Sequence, residues 1–280
     1  MKIRLLGTGA NEGVPAFRCN CSHCNNAREN REKNFRQNSC TLIEDESTTI
    51  LIDTPPQLSA LLEKNQIDER SFSGVFLTHR HEDHILGLRS ILQGSLKKGF
   101  IIRNPLPVFM GNSTFKTASG KFLFNKKTRS LPIESESYQI KKIAPLDVII
   151  LGSLTITPVE TGHLKKKKYR DESFAYIVKN KRGLRVLYLM DAPKNLPEKT
   201  MSHLKKLKID LLISDCTFAE TSPESCHNDI KGNILLKKAL KPSSMVVNHI
   251  GHKNYSYKKL RNILNKEGIK TAYDGMIIDL

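Results

Sequence analysis

The sequence predicts an α+β fold of sheets covered by helices, on the evidence of two alternating patterns. Short apolar or β-branched runs recur along the chain: Ile3 to Leu6, Thr49 to Ile52, Gly74 to Leu77, Ser153 to Pro158, Ala175 to Val178, Arg185 to Met190, Leu211 to Ser214 and Met245 to Val247. Each is bounded by Gly, Pro, Asp, Asn or Ser, the pattern of buried strands. Between them, Gln57 to Asn65, Leu86 to Leu96, Glu198 to Leu207, Ile230 to Ala239 and Tyr257 to Asn265 read as helices. Their irregular alternation predicts sheets with helices laid over them.

The polar ends of these strands carry more information than the strands. Asp53, His79, Asp191, Asp215 and His249 each sit where a predicted strand stops, and sites in α/β proteins gather at such ends. The stretch from Lys97 to Lys141 mixes Gly, Ser, Pro and Lys with few periodic apolar positions, so it reads as a loop-rich insertion able to form a lid. Neither an internal repeat nor a linker breaks the chain, and its 280 residues are expected to form a single domain.

No run approaches the length of a membrane span and the first residues lack the features of a signal peptide, so the expected location is cytoplasmic, with no membrane partner. The net charge of +17 favours phosphate-bearing partners: a small phosphorylated substrate, and nucleic acid held weakly and only at low salt. A Lys-rich solvated surface explains the same charge, and the Lys165 to Lys168 run reads as a solvated loop. The composition is compatible with a homodimer.

The densest chemical signal is Thr78-His79-Arg80-His81-Glu82-Asp83-His84, directly after an apolar strand. A strand end turning into a helix fans these side chains around a cavity, and imidazole with carboxylate is the ligand set of hydrolytic zinc, manganese and iron sites. A lone histidine there would read as a helix cap; four ligands in six residues do not.

His79-x-His81-x-Asp83-His84 resembles the signature of the metallo-β-lactamase superfamily. That resemblance implies a four-layer αβ/βα sandwich holding two divalent ions, zinc or manganese. It also implies further ligands in order, for which His163, Asp191 and His249 are the candidates. His79, His81 and His163 would then hold one ion, Asp83, His84 and His249 the other, with Asp191 between them. Two ions roughly 3.5–4 Å apart activate water and neutralise a phosphodiester oxygen. Asp83 would orient that water.

A second cluster, Cys19-x-Cys21-x-x-Cys24, offers three thiolates at a spacing that wraps a tetrahedral structural zinc, and His227 is the expected fourth ligand. Free thiols or a redox pair are the alternative. Gly13-Val14-Pro15, the cysteine cluster, Asp215-Cys216, His227-Asn228-Asp229 and Asp274-Gly275-Met276 together resemble the PhnP-like phosphodiesterases. This implies a phosphodiesterase (a hydrolase) opening a small cyclic phosphate of ribose such as 5-phosphoribosyl 1,2-cyclic phosphate, with the structural zinc remote from the chemistry. The sequence departs from that family at Phe218, where a histidine that handles the phosphate or leaving oxygen is expected. His252 is the nearest substitute in sequence and is taken as a catalytic candidate beside Asp83.

Three other readings compete. A ribonuclease Z-like endoribonuclease acting on tRNA shares the superfamily ligands, but the 27 residues between His163 and Asp191 leave little room for a tRNA-binding arm. A basic nucleic-acid-binding protein with structural metal sites fits the charge. A redox diiron protein of the same fold would need an appended flavodoxin-like domain, which the sequence lacks.

Overall fold

A computed structural model of the chain describes residues 1–92, 104–122, 132–133, 135–163, 165–166, 169–221 and 225–280. The first half runs β1 (Lys2–Gly7), α1 (Ser22–Glu29), α2 (Arg31–Asn34), β2 (Cys40–Asp45), β3 (Thr48–Ile52), α3 (Leu58–Lys64), β4 (Gly74–Phe76), α4 (Glu82–Ile85), α5 (Leu88–Leu92), β5 (Leu106–Met110), α6 (Asn112–Lys121) and β6 (Tyr138–Lys142). The second half runs β7 (Ile149–Leu151), β8 (Leu154–Glu160), β9 (Lys165–Lys166), β10 (Tyr169–Arg170), β11 (Phe174–Asn180), β12 (Arg185–Leu189), α7 (Glu198–Leu204), β13 (Leu211–Asp215), α8 (Ile230–Leu240), β14 (Ser244–Asn248), α9 (Tyr257–Asn265), β15 (Lys270–Thr271) and β16 (Met276–Asp279).

Two seven-stranded mixed sheets result, in the orders β16-β1-β2-β3-β4-β5-β6 and β15-β14-β13-β12-β11-β8-β7. In the first, β3 to β6 pair parallel and the remaining pairs are antiparallel; in the second, β12 to β15 are the parallel set. Strand alternation sends Ile3, Leu5, Ile43, Ile50 and Ile52 inward to meet Tyr176, Val178, Tyr188, Ile213 and Val246 in one core between the sheets. The opposite faces bury Leu42, Leu51 and Val75 under Leu58, Leu61 and Leu88 on one side. On the other, Leu187, Leu212 and Val247 lie under Leu204, Leu236 and Leu260. The molecule is therefore the four-layer αβ/βα metallo-β-lactamase sandwich.

Two expectations change. The stretch read as a loop-rich insertion contains β5, α6 and β6, which extend the first sheet in parallel. Its apolar signal is short because each strand buries only part of its length, as in Val108 to Met110. Residues 97–103, 123–131 and 134 of that stretch lie outside the described residues. The Lys165 to Lys168 run begins as β9, paired antiparallel with β10, while residues 167 and 168 lie outside the described residues.

The fold leaves the carboxyl ends of β3, β4, β8, β12, β13 and β14 at one edge of the sandwich. Asp53, His79, His163, Asp191 and His249 follow these ends, and Asp215 is the last residue of β13. Asp53, Asp191 and His249 hold φ at 65°, 45° and 53°, a left-handed conformation uncommon outside glycine. Five other non-glycine residues among those described share this conformation elsewhere, but these three gather at the same strand ends, as strained residues do at functional sites.

Candidate metal centre

Seven side chains converge where the sheet ends meet. His79, His81, His163 and Asp191 place one ligand atom each within 4.8 Å of one another, and Asp83, His84 and His249 form an adjoining group. Asp191 faces both: its Oδ1 lies 3.6 Å from His163 Nε2, while its Oδ2 lies 3.0 Å from His84 Nε2 and 3.3 Å from His249 Nε2. A carboxylate so oriented can bridge two ions.

The chemistry of the donors fits metal ions. His84 Nε2, His249 Nε2 and Asp191 Oδ2 are buried with no hydrogen-bond partner, a costly arrangement unless a cation takes the lone pairs. Burial, with His84 and other cationic neighbours, pushes the His79 imidazole well below its ordinary value, and burial with His163 holds His81 down to about 4. Burial opposes ionisation of Asp83 and Asp191, yet the neighbouring histidines hold both carboxyls well below the usual range. Neutral imidazoles at His79 and His81 and ionised carboxylates are the states a divalent ion requires. Against the effect of burial, the carboxylates around His84, and Cys226 with Asp191 at His163, raise those two imidazoles, whose protons a bound ion would displace.

A second layer fixes the rings. Thr78 Oγ1 lies 3.0 Å from His79 Nδ1, Asp53 Oδ2 2.8 Å from His84 Nδ1, and Thr217 Oγ1 2.8 Å from His249 Nδ1. The Cys226 carbonyl accepts from His163 Nδ1 at 2.8 Å. In each case Nε2 is left for the centre. Asp53 and Asp215 play matching parts in the two halves. Asp53 Oδ1 accepts from Thr78 N and Oγ1, and Asp215 Oδ1 accepts from Thr217 N and Oγ1. The sequence marked Asp53 only as a polar strand end, and Asp215 as a strand end and as part of the Asp215-Cys216 pair.

The structure exchanges the expected places of two histidines. His252, not His227, joins the cysteines: its Nδ1 lies 3.3 Å from Cys19 Sγ and 3.8 Å from Cys21 Sγ, and the four residues form one potential metal-binding group with Cys24. His252 Nε2 faces Glu12 Oε1 at 3.5 Å, the carboxylate support common behind ligating histidines. All six cysteines are free. The cluster is also not remote: His252 follows His249 by three residues, and Glu12 lines the metal cavity. It therefore ties the amino-terminal loop to the segment after His249 rather than to the one after Asp215.

His227 instead stands at the metal cavity, with Nδ1 2.9 Å from Asp215 Oδ2. Its ring makes an edge contact with Phe218 at 5.9 Å between centroids. The imidazole missing at position 218 is thus supplied from nine residues further along the chain. Adjacency to Cys226 suggested a zinc ligand, whereas the helix cap at Asp229, which accepts from Gly232 N, turns the loop towards Asp215. Burial opposes the charge on His227, but Asp215 raises its imidazole to about 11. The cavity has a volume of about 400 Å³, and Asn11, Glu12, Glu82, Phe218 and His227 complete its wall.

Known proteins share this architecture. A diphosphatase of the PhnP family superposes with a TM-score of 0.78 at 21% identity, covering all of this chain and 97% of that one. Zinc-bound PqqB from Methylobacterium extorquens gives 0.78 at 19% identity over both whole chains. In sequence, coenzyme PQQ synthesis protein B of Stutzerimonas stutzeri is 21% identical over the full length of both proteins. The family profile described as anti-Pycsar protein Apyc1 matches residues 26–266, and the chain belongs to that family.

Proposed function

We propose that the protein is a dimetal phosphodiesterase that opens a small cyclic phosphodiester to a phosphomonoester, with 5-phosphoribosyl 1,2-cyclic phosphate as the specific candidate. The observation that carries this reading is the convergence of the other six ligands around Asp191, with an imidazole backed by a carboxylate at the rim of the same cavity. A cavity of about 400 Å³ suits a small molecule.

Two divalent ions bound by these side chains would supply Lewis-acid polarisation of a phosphoryl oxygen and lower the pKa of water into the neutral range. The protein does the rest. Asp83, ionised and beside His249, orients the attacking water towards phosphorus, and the proton that water gives up passes to solvent. As the new P–O bond forms, the ester P–O bond on the opposite side breaks. The departing alkoxide then takes a proton from His227, which Asp215 holds protonated and oriented. Thr217 fixes Asp215 and His249 together, so the donor and one ligand group move as a unit.

The test is a hydrolysis panel of ribose cyclic phosphates, 3′,5′-cyclic nucleotides, linear diesters and precursor tRNA, run with zinc- and manganese-loaded protein. Turnover of a small cyclic ester well above that of linear diesters and tRNA supports the proposal. Preferential tRNA cleavage, or no hydrolysis of any phosphodiester by fully loaded protein, refutes it.

A further inference from the structure

We infer that the exposed side of α9 is a binding groove for the phosphate backbone of nucleic acid, separate from the metal centre. A groove of about 360 Å³ is lined by Ser256, Lys258, Lys259, Asn262, Ile263 and Lys266, and no carboxylate faces it. Lys258, Asn262 and Lys266 recur every four residues and so form one stripe, with Lys259 and Ile263 beside it. From Lys258 to Lys266 the helix rises about 12 Å, enough to follow a run of phosphates rather than one ion.

The charge around this groove is concentrated. Residues 230–266 contain nine Lys or Arg and no Asp or Glu. Some cations elsewhere on the protein are paired, as in Arg4 with Glu44, Arg80 with Asp171 and Lys194 with Asp229. Among the described residues, Lys258, Lys259, Arg261 and Lys266 have no ion-pair partner. Aromatic rings hold several cations here instead. Lys259 Nζ lies 3.6 Å from the Tyr255 ring centre, and Arg261 lies 5.7 Å from that of Tyr257. Lys33 lies 4.3 Å from the Tyr273 ring and 5.4 Å from Tyr257, joining α2 to the same face. Asn34 Oδ1 accepts from Tyr257 N and locks that junction. Glu29, Glu32 and Glu267 are the nearby acids in sequence, and none lines the groove.

Clustered cations held by rings rather than by carboxylates repel one another until an anion neutralises them, and each phosphate they engage releases counterions. A membrane surface offers the same charge. However, Leu260 and Leu264, the apolar side of α9, are fully buried against the second sheet. The helix therefore has no apolar face to insert, which favours nucleic acid over lipid. The groove residues are absent from the wall of the metal cavity, so this inference stands whether or not the phosphodiesterase reading does.

The experiment measures binding of the full chain to a labelled 20-nucleotide oligouridylate, to a duplex DNA of equal length and to anionic vesicles, across a salt series. Lys258→Glu/Lys259→Glu/Lys266→Glu is compared with Lys199→Glu/Lys205→Glu/Lys206→Glu, which changes net charge equally at exposed positions on α7 and just after it. The expected result is that both oligonucleotides bind at low salt and the α9 variant loses at least tenfold in affinity. Its log–log salt slope on the single strand should fall by about 2, while the α7 variant loses less than threefold. Melting temperature and nitrophenyl phosphodiester hydrolysis check that both variants fold. Should the α9 variant fail to fold, Lys258→Gln/Lys266→Gln serves the same comparison. Equal losses in the two variants, binding to vesicles but not to oligonucleotides, or no binding at 50 mM salt each overturn the inference.

Discussion

Asp215 Oδ2 accepts the Nδ1 proton of His227 at 2.9 Å, and the other oxygen of the same carboxylate is held by Thr217. This pair places a proton donor at the rim of a centre otherwise made of metal ligands. His227→Ala is expected to lower turnover of cyclic esters with poor leaving groups by roughly 10²–10⁴ while sparing nitrophenyl esters. Steady-state kinetics on both substrate types decide it, and equal losses on the two would remove His227 from proton transfer.

The exchange of His227 and His252 gives a second expectation. His252→Ala should cost the metal ion of the cysteine cluster, so elemental analysis reads one ion fewer per chain, whereas His227→Ala keeps the full complement. Cys24→Ser should behave as His252→Ala does and lower the melting temperature by roughly 4 °C, equivalent to about 1–2 kcal/mol, because binding of a structural metal is coupled to folding. Unchanged metal content in both variants would contradict the cluster as a metal site.

Asp53 tests the layer behind the ligands. Its Oδ2 holds His84 Nδ1 at 2.8 Å while its Oδ1 anchors Thr78. Asp53→Asn presents a donor or a weaker acceptor to that ring and is expected to reduce metal affinity or turnover about 10–100-fold. Competition with a chromophoric chelator reports the affinity directly. Wild-type affinity and turnover in this variant would show that His84 needs no such support.

Behind the same histidine, Gly87 N donates to Thr54 O, and a Cβ at Gly87 would lie 2.2 Å from Pro55 O and 2.8 Å from Leu58 Cβ. Gly87→Ala should destabilise the protein by roughly 1–3 kcal/mol, since backbone must shift to admit the methyl group. Urea denaturation with an unchanged midpoint would contradict the packing described.

The ligand motif was legible because six of the seven ligands either belong to one dense run, His79 to His84, or, like Asp191 and His249, sit at the end of a strand pattern. The helix pattern from Tyr257 to Asn265 likewise coincides with α9, whose buried Leu260 and Leu264 alternate with exposed cations. Less legible were β5, α6 and β6, where each apolar run is short and interrupted, and β2, whose Cys40 to Asp45 ends in two carboxylates. The exchange of two histidines could not be read from sequence distance. Both lie in loops, and what separates them is the turn at Asp229 and the approach of Glu12 to His252, contacts between residues as much as 240 positions apart.

The most direct test of the account is to strip the protein of metal, return zinc or manganese stepwise, and follow hydrolysis of a ribose cyclic phosphate against the number of ions bound. Activity should be absent in the stripped protein and return as the two ions of the His–Asp centre bind, and Asp191→Ala should restore almost none of it at any metal concentration. Undiminished hydrolysis by metal-free protein, or full activity in Asp191→Ala, would contradict a dimetal phosphodiesterase.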